Sequence, residues 1–566
     1  MPQDAYTLRY LCGELDKIFC GGKINRIVQP SADEVVFTVY NGKTTKLLVD
    51  VNPAAPRIGI TEKEKESPLT APNFCMLLRK HLLSATVLGV SLVGFDRIVK
   101  IDLSPSSEFF DEGEKTLYVE LMGRYSNIIL TENGKVLGGN RGINFFDNGV
   151  RPLIVGREYL FPPVGDKKVP KDEALSEILC GEDAKELAKS VTENVQGIAP
   201  STATEMAEQY FAEHGIFSGK SFFVFMNDFL YAQEYSPCVI TDKGAVKDVC
   251  VFPYKCVSGE VKNFPTLVLA EEFYFNEKNR IKKFAALKER LTSAASAALK
   301  KANKRLSAII AREKDAASAD LNRLKGELIL ANIYKFKGGE KSCVLDNYYD
   351  GTTVEIELDE RISAAANSER YYKKYNKQKR ALAALALQRE AAESEADYLE
   401  SVLDFIGMAE NICDLAEIKE ELINARIISE KNNVRRRTTE PTLGRIYDVY
   451  GFTVRVGRNN AENDKIAFSA KPDDIWLHAK NFHSSHVVIE TRGTEPREKT
   501  LIAAAEICAY YSGGRSGGKT EIVYTRRKFL KKPRGAKLGF CTYTDFKSVT
   551  VMPEKHAEFL KSRDTE

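Results

Sequence analysis

The apolar positions change period along this chain, and the changes divide it. Residues 4–20 carry Leu8, Leu11, Leu15, Ile18 and Phe19 at helical spacing before Gly21-Gly22, which predicts an amphipathic helix. Residues 34–40 are rich in Val and Phe, Asn41-Gly42 is a hairpin turn signal, and 44–49 return, so a strand pair follows. Residues 74–85 read as a helix carrying Arg79, Lys80 and His81. Strand-like runs then occupy 87–93, 98–103, 117–122 and 127–131, with a polar, acidic loop at 104–115. This pattern predicts a mixed α+β domain with an antiparallel sheet. Residues 166–218 shift to helix-forming composition, and strands are expected again at 221–225 and 237–252, so the helical piece reads as an insertion.

From 271 to 334 the pattern is helical with no proline and one glycine, Gly326. An unbroken helix of that size would reach roughly 95 Å. Phe284, Leu287, Leu291, Ala294, Ala298 and Ala302 keep the three/four spacing of a coiled-coil seam. A hairpin is predicted at 342–358 around Asp350-Gly351, and helix returns from 368 to about 426. Two long helices joined by a compact piece predict an antiparallel arm with a knob. A linker at 431–442, including Arg435, Arg436 and Arg437, leads to the last domain. There a strand pair turns at Gly451, 458–460 form a turn, and 466–469 a strand. Strands at 476–478 and 486–489 frame a polar turn, a helix spans 500–511, and strands close the chain at 521–525, 538–543 and 548–552. The whole is an α+β multidomain protein, as 566 residues require when one core rarely exceeds ~250–300.

Composition sharpens this picture locally. The net charge is only +3, but 277–314 hold twelve Lys/Arg against three Glu, and 526–537 hold seven basic residues and no acid. Such blocks repel themselves unless an anion lies near, and they predict RNA contact. Residues 371–380 mix three Tyr with five basic residues, which suits base stacking beside phosphate contacts or, equally, a seam of rings under snorkelling lysines. The eleven cysteines form no CxxC pair and read as reduced thiols of a cytoplasmic protein. The first residues lack a signal pattern, and no apolar run reaches the ~18–20 residues that span a bilayer, so no membrane role is expected.

The chemistry-bearing residues point to binding. Asp96-Arg97 joins two strands, where the Arg fork can meet a phosphate or base with Asp96 holding it, or simply form a local ion pair. Glu120-Leu-Met-Gly-Arg124 breaks a strand at a glycine and presents polar groups on a turn. The stretch 194–203 resembles a helix-hairpin-helix turn, but Ala199 replaces its second glycine and packing is the better reading. Gly513 to Thr520 fits a P-loop string, yet it follows a helix and precedes a strand, the reverse of phosphate-cradling order. His478, His483 and His486 lack supporting ligands at metal spacing, and no Ser-His-Asp order emerges. No metal, cofactor or catalytic set is therefore expected.

Phe95-Asp-Arg97, Glu120-Leu-Met-Gly-Arg124 with Ser126-Asn127, Tyr371-Tyr-Lys-Lys-Tyr-Asn376, Asp473-Asp-Ile-Trp-Leu-His478 with Ser485-His486, and Tyr524-Thr-Arg-Arg-Lys528 together carry a resemblance to the NFACT family over essentially the full length. The resemblance implies an NFACT N-terminal domain at 1–165 and 219–270, with a helix-hairpin-helix insertion at 166–218. It implies coiled-coil helices at 271–334 and 368–430 around a tip at 335–367, a linker at 431–445 and an RNA-binding domain at 446–555. It further implies a ribosome quality control factor, not itself an enzyme, that binds large ribosomal subunits still holding peptidyl-tRNA. There it would recruit alanyl-tRNA for untemplated C-terminal alanine tails, with its arm reaching the stalk base. Carried over by position, Asp96, Arg97, Glu120, Leu121, Met122 and Arg124 are the expected tRNA contacts. The basic run adds Arg526, Arg527, Lys528, Lys531, Lys532 and Arg534 as RNA contacts. Two alternatives stand beside this reading. One is a surface fibronectin-binding adhesin, which would need export. The other is a DNA glycosylase-like enzyme, for which Pro2 is present but Gln3 replaces the expected glutamate.

Overall fold

The computed structural model describes residues 3–560 except 66, 67, 69, 105–112, 142–150, 152, 164, 233, 234, 243, 318 and 430–442. The basic linker at 431–442, most of the loop at 104–115, and Pro2 lie outside the described residues. The chain divides into two units, Met1–Ile281 and Lys282–Glu566, and passes from one to the other within the helix Leu267–Ala317.

In the first unit the helix Ala5–Phe19 is capped by Asp4, whose carboxylate accepts the Thr7 N–H at 2.8 Å. Its apolar stripe, Leu8, Leu11, Leu15 and Phe19, is fully buried. Two antiparallel meanders share its core. One has four strands, Lys23–Ser31, Glu34–Asn41, Lys43–Asp50 and Arg57–Ile60. The other has five, Val87–Leu92, Ile98–Leu103, Lys115–Glu120, Asn127–Glu132 and Lys135–Gly139. The first and fourth strands of the first sheet were not legible as strands. A third sheet centres Cys238–Asp242 between Ala245–Cys250 and Glu260–Asn263.

The helical insertion runs further than expected. Residues 221–225, expected as a strand, lie inside the helix Gly219–Ala232, where Phe222, Met226 and Phe229 are buried at three/four spacing. The apolar run is longer than the usual 4–8 residues of a strand, and its length decides against one. The helices Ala184–Asn194 and Pro200–His214 flank the turn at Gly197 (φ +76°). A Cβ there would come within 2.5 Å of both the Ala5 Cβ and the Phe95 carbonyl oxygen, so glycine is required for close packing. The Ala199 N–H and the Thr202 hydroxyl both donate to Asp4, at 3.0 and 2.8 Å. The donors that would meet a phosphate are thus occupied by a carboxylate of this chain, and the turn packs rather than binds.

The second unit holds two long helices that pair antiparallel. Lys288 donates to the Gly407 carbonyl (2.8 Å), Arg389 pairs with Glu313 (3.2 Å), and Asn322 bonds Gln378 (2.8 Å). Leu291, Ala295 and Ala302 form the seam against Leu399, Val402 and Ile406. The first helix is described over Leu267–Ala317 and again over Ala319–Ala331, with residue 318 outside the described residues, and a short 3-10 turn at Ile333–Lys335 replaces its expected last residues. The returning helix is Ala364–Met408, and it stops short of 426 because Asn411 caps a new helix, Ile412–Asn424, by accepting the Asp414 N–H. The tip hairpin pairs Ser342–Asp346 with Thr353–Glu357.

The last domain is a six-stranded antiparallel sheet in the order Arg445–Val449, Phe452–Val456, Val487–Glu490, Ile475–Ala479, Thr520–Arg526, Lys547–Val551. Strand alternation sends Ile475, Leu477 and Ala479 to the core under the helix Glu498–Tyr510, and Trp476 to the other face. Residues 466–469, expected as a strand, belong to a helix, Asn460–Ser469, capped by Asn459 and covering that second face. The expected strand at 538–543 shrinks to a two-residue pairing of Thr542–Tyr543 with Leu530–Lys531.

One buried acid makes the first unit pH-sensitive. Glu271 is 2% exposed, accepts from the Gln3 amide, and burial, opposed by Gln3 and Arg57, pushes its carboxyl from 4.5 up to about 8. Between those values the unfolded chain ionises while the folded one stays protonated, so stability falls as pH rises, by at most ~1.4 kcal/mol per pH unit. Glu271→Gln is expected to flatten the fall between pH 5 and 8 in denaturant titrations, and parallel profiles for the two proteins would contradict this.

Candidate nucleic-acid interface

The sheet of the first unit brings two of the expected contact stretches together. Ile98 pairs with Glu120, and the Leu121 N–H donates to the Arg97 carbonyl at 2.9 Å, so the turns at 93–97 and 121–126 share one sheet end. Asp96 accepts the Arg97 N–H (2.7 Å) and the Gln196 side-chain amide (3.0 Å), which ties this turn to the helical insertion. Arg97 is half-buried there.

The second turn sorts its residues by depth. Glu120 is 1% exposed: Arg151 holds both its oxygens, at 2.7 and 3.1 Å, and the Tyr159 hydroxyl donates at 2.7 Å. Tyr159 stacks on Tyr118 with centroids 4.1 Å apart. Glu120 was expected as a tRNA contact at the end of its strand; it is interior, because that strand sends Tyr118 and Glu120 to a face covered by Tyr159 and Arg151. Leu121 is core, Met122 is half-buried, and Gly123 takes φ +57°. That left-handed residue turns Arg124 and Tyr125 outward, with the guanidinium 4.7 Å from the ring centroid. Arg141 fastens the turn from below: it donates to the Arg124 carbonyl (3.2 Å), Asp33 (2.8 Å) and the Val51 carbonyl (2.8 Å). Arg141, Arg151 and Tyr159 had no local signal, because their partners lie far off in sequence.

In the second unit the stretch 473–486 frames the basic run. Asp474 accepts from Lys471 and Thr491 with its carboxylate, at 2.8 and 2.9 Å, and its carbonyl accepts the Arg527 N–H at 2.8 Å. Ser485 donates to the Gly457 carbonyl (2.6 Å), and Asn463 accepts the His486 N–H (2.9 Å). Much of the basic charge is internally matched. Arg526 pairs with Asp473 (3.3 Å) and Glu495 (3.1 Å), Lys528 with Asp473 (3.3 Å), and Lys532 with Asp464. Arg527 donates to the Phe468 carbonyl at 3.1 Å. Lys531 and Arg534 are exposed and make no ion pair among the described residues. On the arm, Lys282, Lys283, Lys300, Lys301 and Lys304 are exposed. Tyr371 is buried and donates to the Glu357 carbonyl at 2.7 Å, so this ring serves the seam at the tip.

The three histidines cluster without sharing a common centre. His478 stacks on Trp476 (5.6 Å, 6°), and His486 meets both rings edge-on. Burial pushes His478 down to about 4 and His486 well below its usual value, so both are neutral at pH 7. Among the described residues, Asp397, Glu400 and His483 have ligand atoms within 4.8 Å of one another, as do Glu506, Glu554 and His556, and these groups could hold a cation. The P-loop-like string lies between the helix Glu498–Tyr510 and the strand Thr520–Arg526, the order expected from sequence.

The C-terminal sheet domain is anchored on the root of the arm. Asp414, 0% exposed, binds Arg445 (2.6 Å) and Arg458 (3.4 Å), and Arg458 also meets Glu462 (3.6 Å). Glu421 accepts from Tyr398 (2.9 Å), Asn460 (3.2 Å) and the Ala461 N–H (3.2 Å).

A family model for NFACT N-terminal and middle domains matches residues 4–441, and one for the NFACT protein RNA binding domain matches 446–539. Rqc2 homolog RqcH of Bacillus subtilis (strain 168) is 32% identical over 555 residues, 96% of each chain. Rqc2 homolog RqcH of Streptococcus suis (strain 05ZYH33) is 31% identical over 560 residues, 98% of each. The solved N-terminal part of the fibronectin/fibrinogen-binding protein from Streptococcus suis aligns at 28% identity and TM-score 0.42, covering 48% of this chain and 98% of that one.

Removing one member of a buried ion pair strands the other charge. Asp414→Ala is expected to destabilise the second unit by about 3–5 kcal/mol in urea unfolding; a loss below ~1 kcal/mol, the worth of an exposed pair, would contradict the anchoring role.

Proposed function

The chain belongs to the NFACT family, and from that premise we propose that it is a ribosome quality control factor that binds large ribosomal subunits still carrying peptidyl-tRNA. It is homologous to Rqc2 homolog RqcH proteins along nearly its whole length and carries the family's RNA-binding domain. That full-length correspondence is the observation that supports the reading best. On this proposal the protein recruits alanyl-tRNA and promotes C-terminal alanine tails that mark the blocked chain for degradation. Peptide bonds are made by the ribosome, so the protein acts as a positioning factor and needs no catalytic group or cofactor of its own.

Under this reading the residues divide by depth. Arg97, Arg124 and Tyr125 would meet tRNA directly, with Asp96 and Gln196 orienting the first turn. Glu120, Leu121 and Met122 would act from beneath, by holding the second turn in shape. Lys531 and Arg534 would meet phosphate, while Arg526, Lys528 and Lys532 must exchange a carboxylate of this chain for one.

The test is co-sedimentation of the purified full chain with ribosomal subunits across a salt series, with sequencing of bound tRNA. Lys531→Glu with Arg534→Glu is expected to weaken large-subunit binding, and the log–log salt slope should fall by about 0.7–0.9 for each phosphate that is no longer neutralised. Arg97→Ala is expected to lower tRNA recovery with unchanged unfolding. Wild-type sedimentation by the double variant together with undiminished tRNA in Arg97→Ala would defeat the proposal.

A further inference from the structure

A cavity of about 210 Å³ opens where the returning arm helix meets the RNA-binding sheet. Ser394, Asp397, Tyr398 and Ser401 line it from the helix, and Trp476, His478 and His486 from the sheet. The segment 537–543 closes the remaining side, beginning with Lys537. It is smaller than the ~300–1,000 Å³ of a drug-sized pocket, and so fits one flat ring system rather than a whole nucleotide.

Its aromatic floor leaves one ring within reach. Trp476 and His486 are each 1% exposed and lie beneath the surface, while His478 is half-buried. His478 stacks one face on Trp476, and the ring borders the cavity. The imidazoles are neutral, because burial holds both below their usual range, so the interior suits an uncharged heteroaromatic ring rather than an anion. Charge is confined to the rim. Lys537 stands on the side where the exposed Arg534 and Lys531 continue the basic run, and Asp397 stands on the helix side, 3.8 Å from His483.

We infer that this cavity takes one unpaired nucleobase of an RNA strand whose sugar-phosphate backbone follows Lys531, Arg534 and Lys537. An exocyclic amine of the base can donate to Asp397, and the ring stacks on the half-buried His478 imidazole, which itself lies on Trp476. The inference rests on the RNA-binding reading above and gives it a base-reading pocket in addition to phosphate contacts.

Trp476 is the only tryptophan of the chain, so its emission reports this cavity alone. The full-length protein is titrated with a labelled single-stranded oligoribonucleotide of about ten residues, within the ~4–16 nucleotides that such surfaces cover. An abasic strand of equal length and adenosine monophosphate are titrated beside it, reading anisotropy and Trp476 emission together. The base-bearing strand is expected to change the emission in parallel with binding, and the abasic strand to bind about tenfold more weakly, without that change. Ser394→Phe, an exposed position at the mouth, should fold normally, abolish the emission change and equalise the two strands; His478→Ala should do the same. Equal binding of both strands by the wild type, or saturation with constant emission, overturns the inference while leaving RNA binding intact. Adenosine monophosphate binding as tightly as the strand overturns it in favour of a free-nucleotide site. If neither strand binds, the RNA-binding reading falls as well.

Discussion

A single buried carboxylate, Asp414, holds the guanidiniums of Arg445 and Arg458 between the root of the arm and the first strands of the RNA-binding sheet. Isolated charges in such a place are costly, and their mutual satisfaction depends on one geometry. Glu421 repeats the device beside it, gathering Tyr398, Asn460 and the Ala461 amide. Together these groups fix the start of the helix Asn460–Ser469 and the helix Ile412–Asn424 against each other. The cavity beside Trp476 exists because of this junction, since Ser401 on the arm helix bonds Asn460 on the sheet domain at 2.9 Å. An arm merely tethered by a flexible linker could not build one wall of a pocket.

Electrostatics in the sheet domain are correspondingly graded. A run of seven basic residues suggests an open cationic strip, but three of them are already paired with Asp464, Asp473 or Glu495. Exposed pairs are worth at most ~1 kcal/mol, so a phosphate can displace them at little cost. Lys531 and Arg534 need no such exchange. The same grading occurs in the first unit, where Arg124 and Tyr125 face outward while Glu120 and Arg151 form the support beneath them.

Most of this architecture was legible where local chemistry is strong. Asn41-Gly42, Asp350-Gly351 and Gly451 mark turns that only a few residues tolerate, and each lies where a hairpin turns. The seam around Leu291 and Ala302 follows directly from spacing. Misreadings came where a short apolar stretch was judged without its caps. Residues 466–469 look like a strand until Asn459 is recognised as a helix cap, and 221–225 until the run is followed to Leu230. Asn411 ends the arm helix by the same mechanism. The candidate site was legible only in part: spacing located the two turns and the basic run, but the burial of Glu120 depends on Arg151 and Tyr159, and the cavity depends on residues from 394 to 543. Such groupings arise from tertiary packing, which no local window contains.

The most direct measurement is ultraviolet cross-linking of the full chain to large ribosomal subunits and tRNA, with peptide mapping of the adducts. The account predicts adducts concentrated at the turn around Arg124 and Tyr125 and at the segment from Lys531 to Tyr543. Adducts that avoid both places, or none at all on a chain that sediments with the subunit, would contradict it.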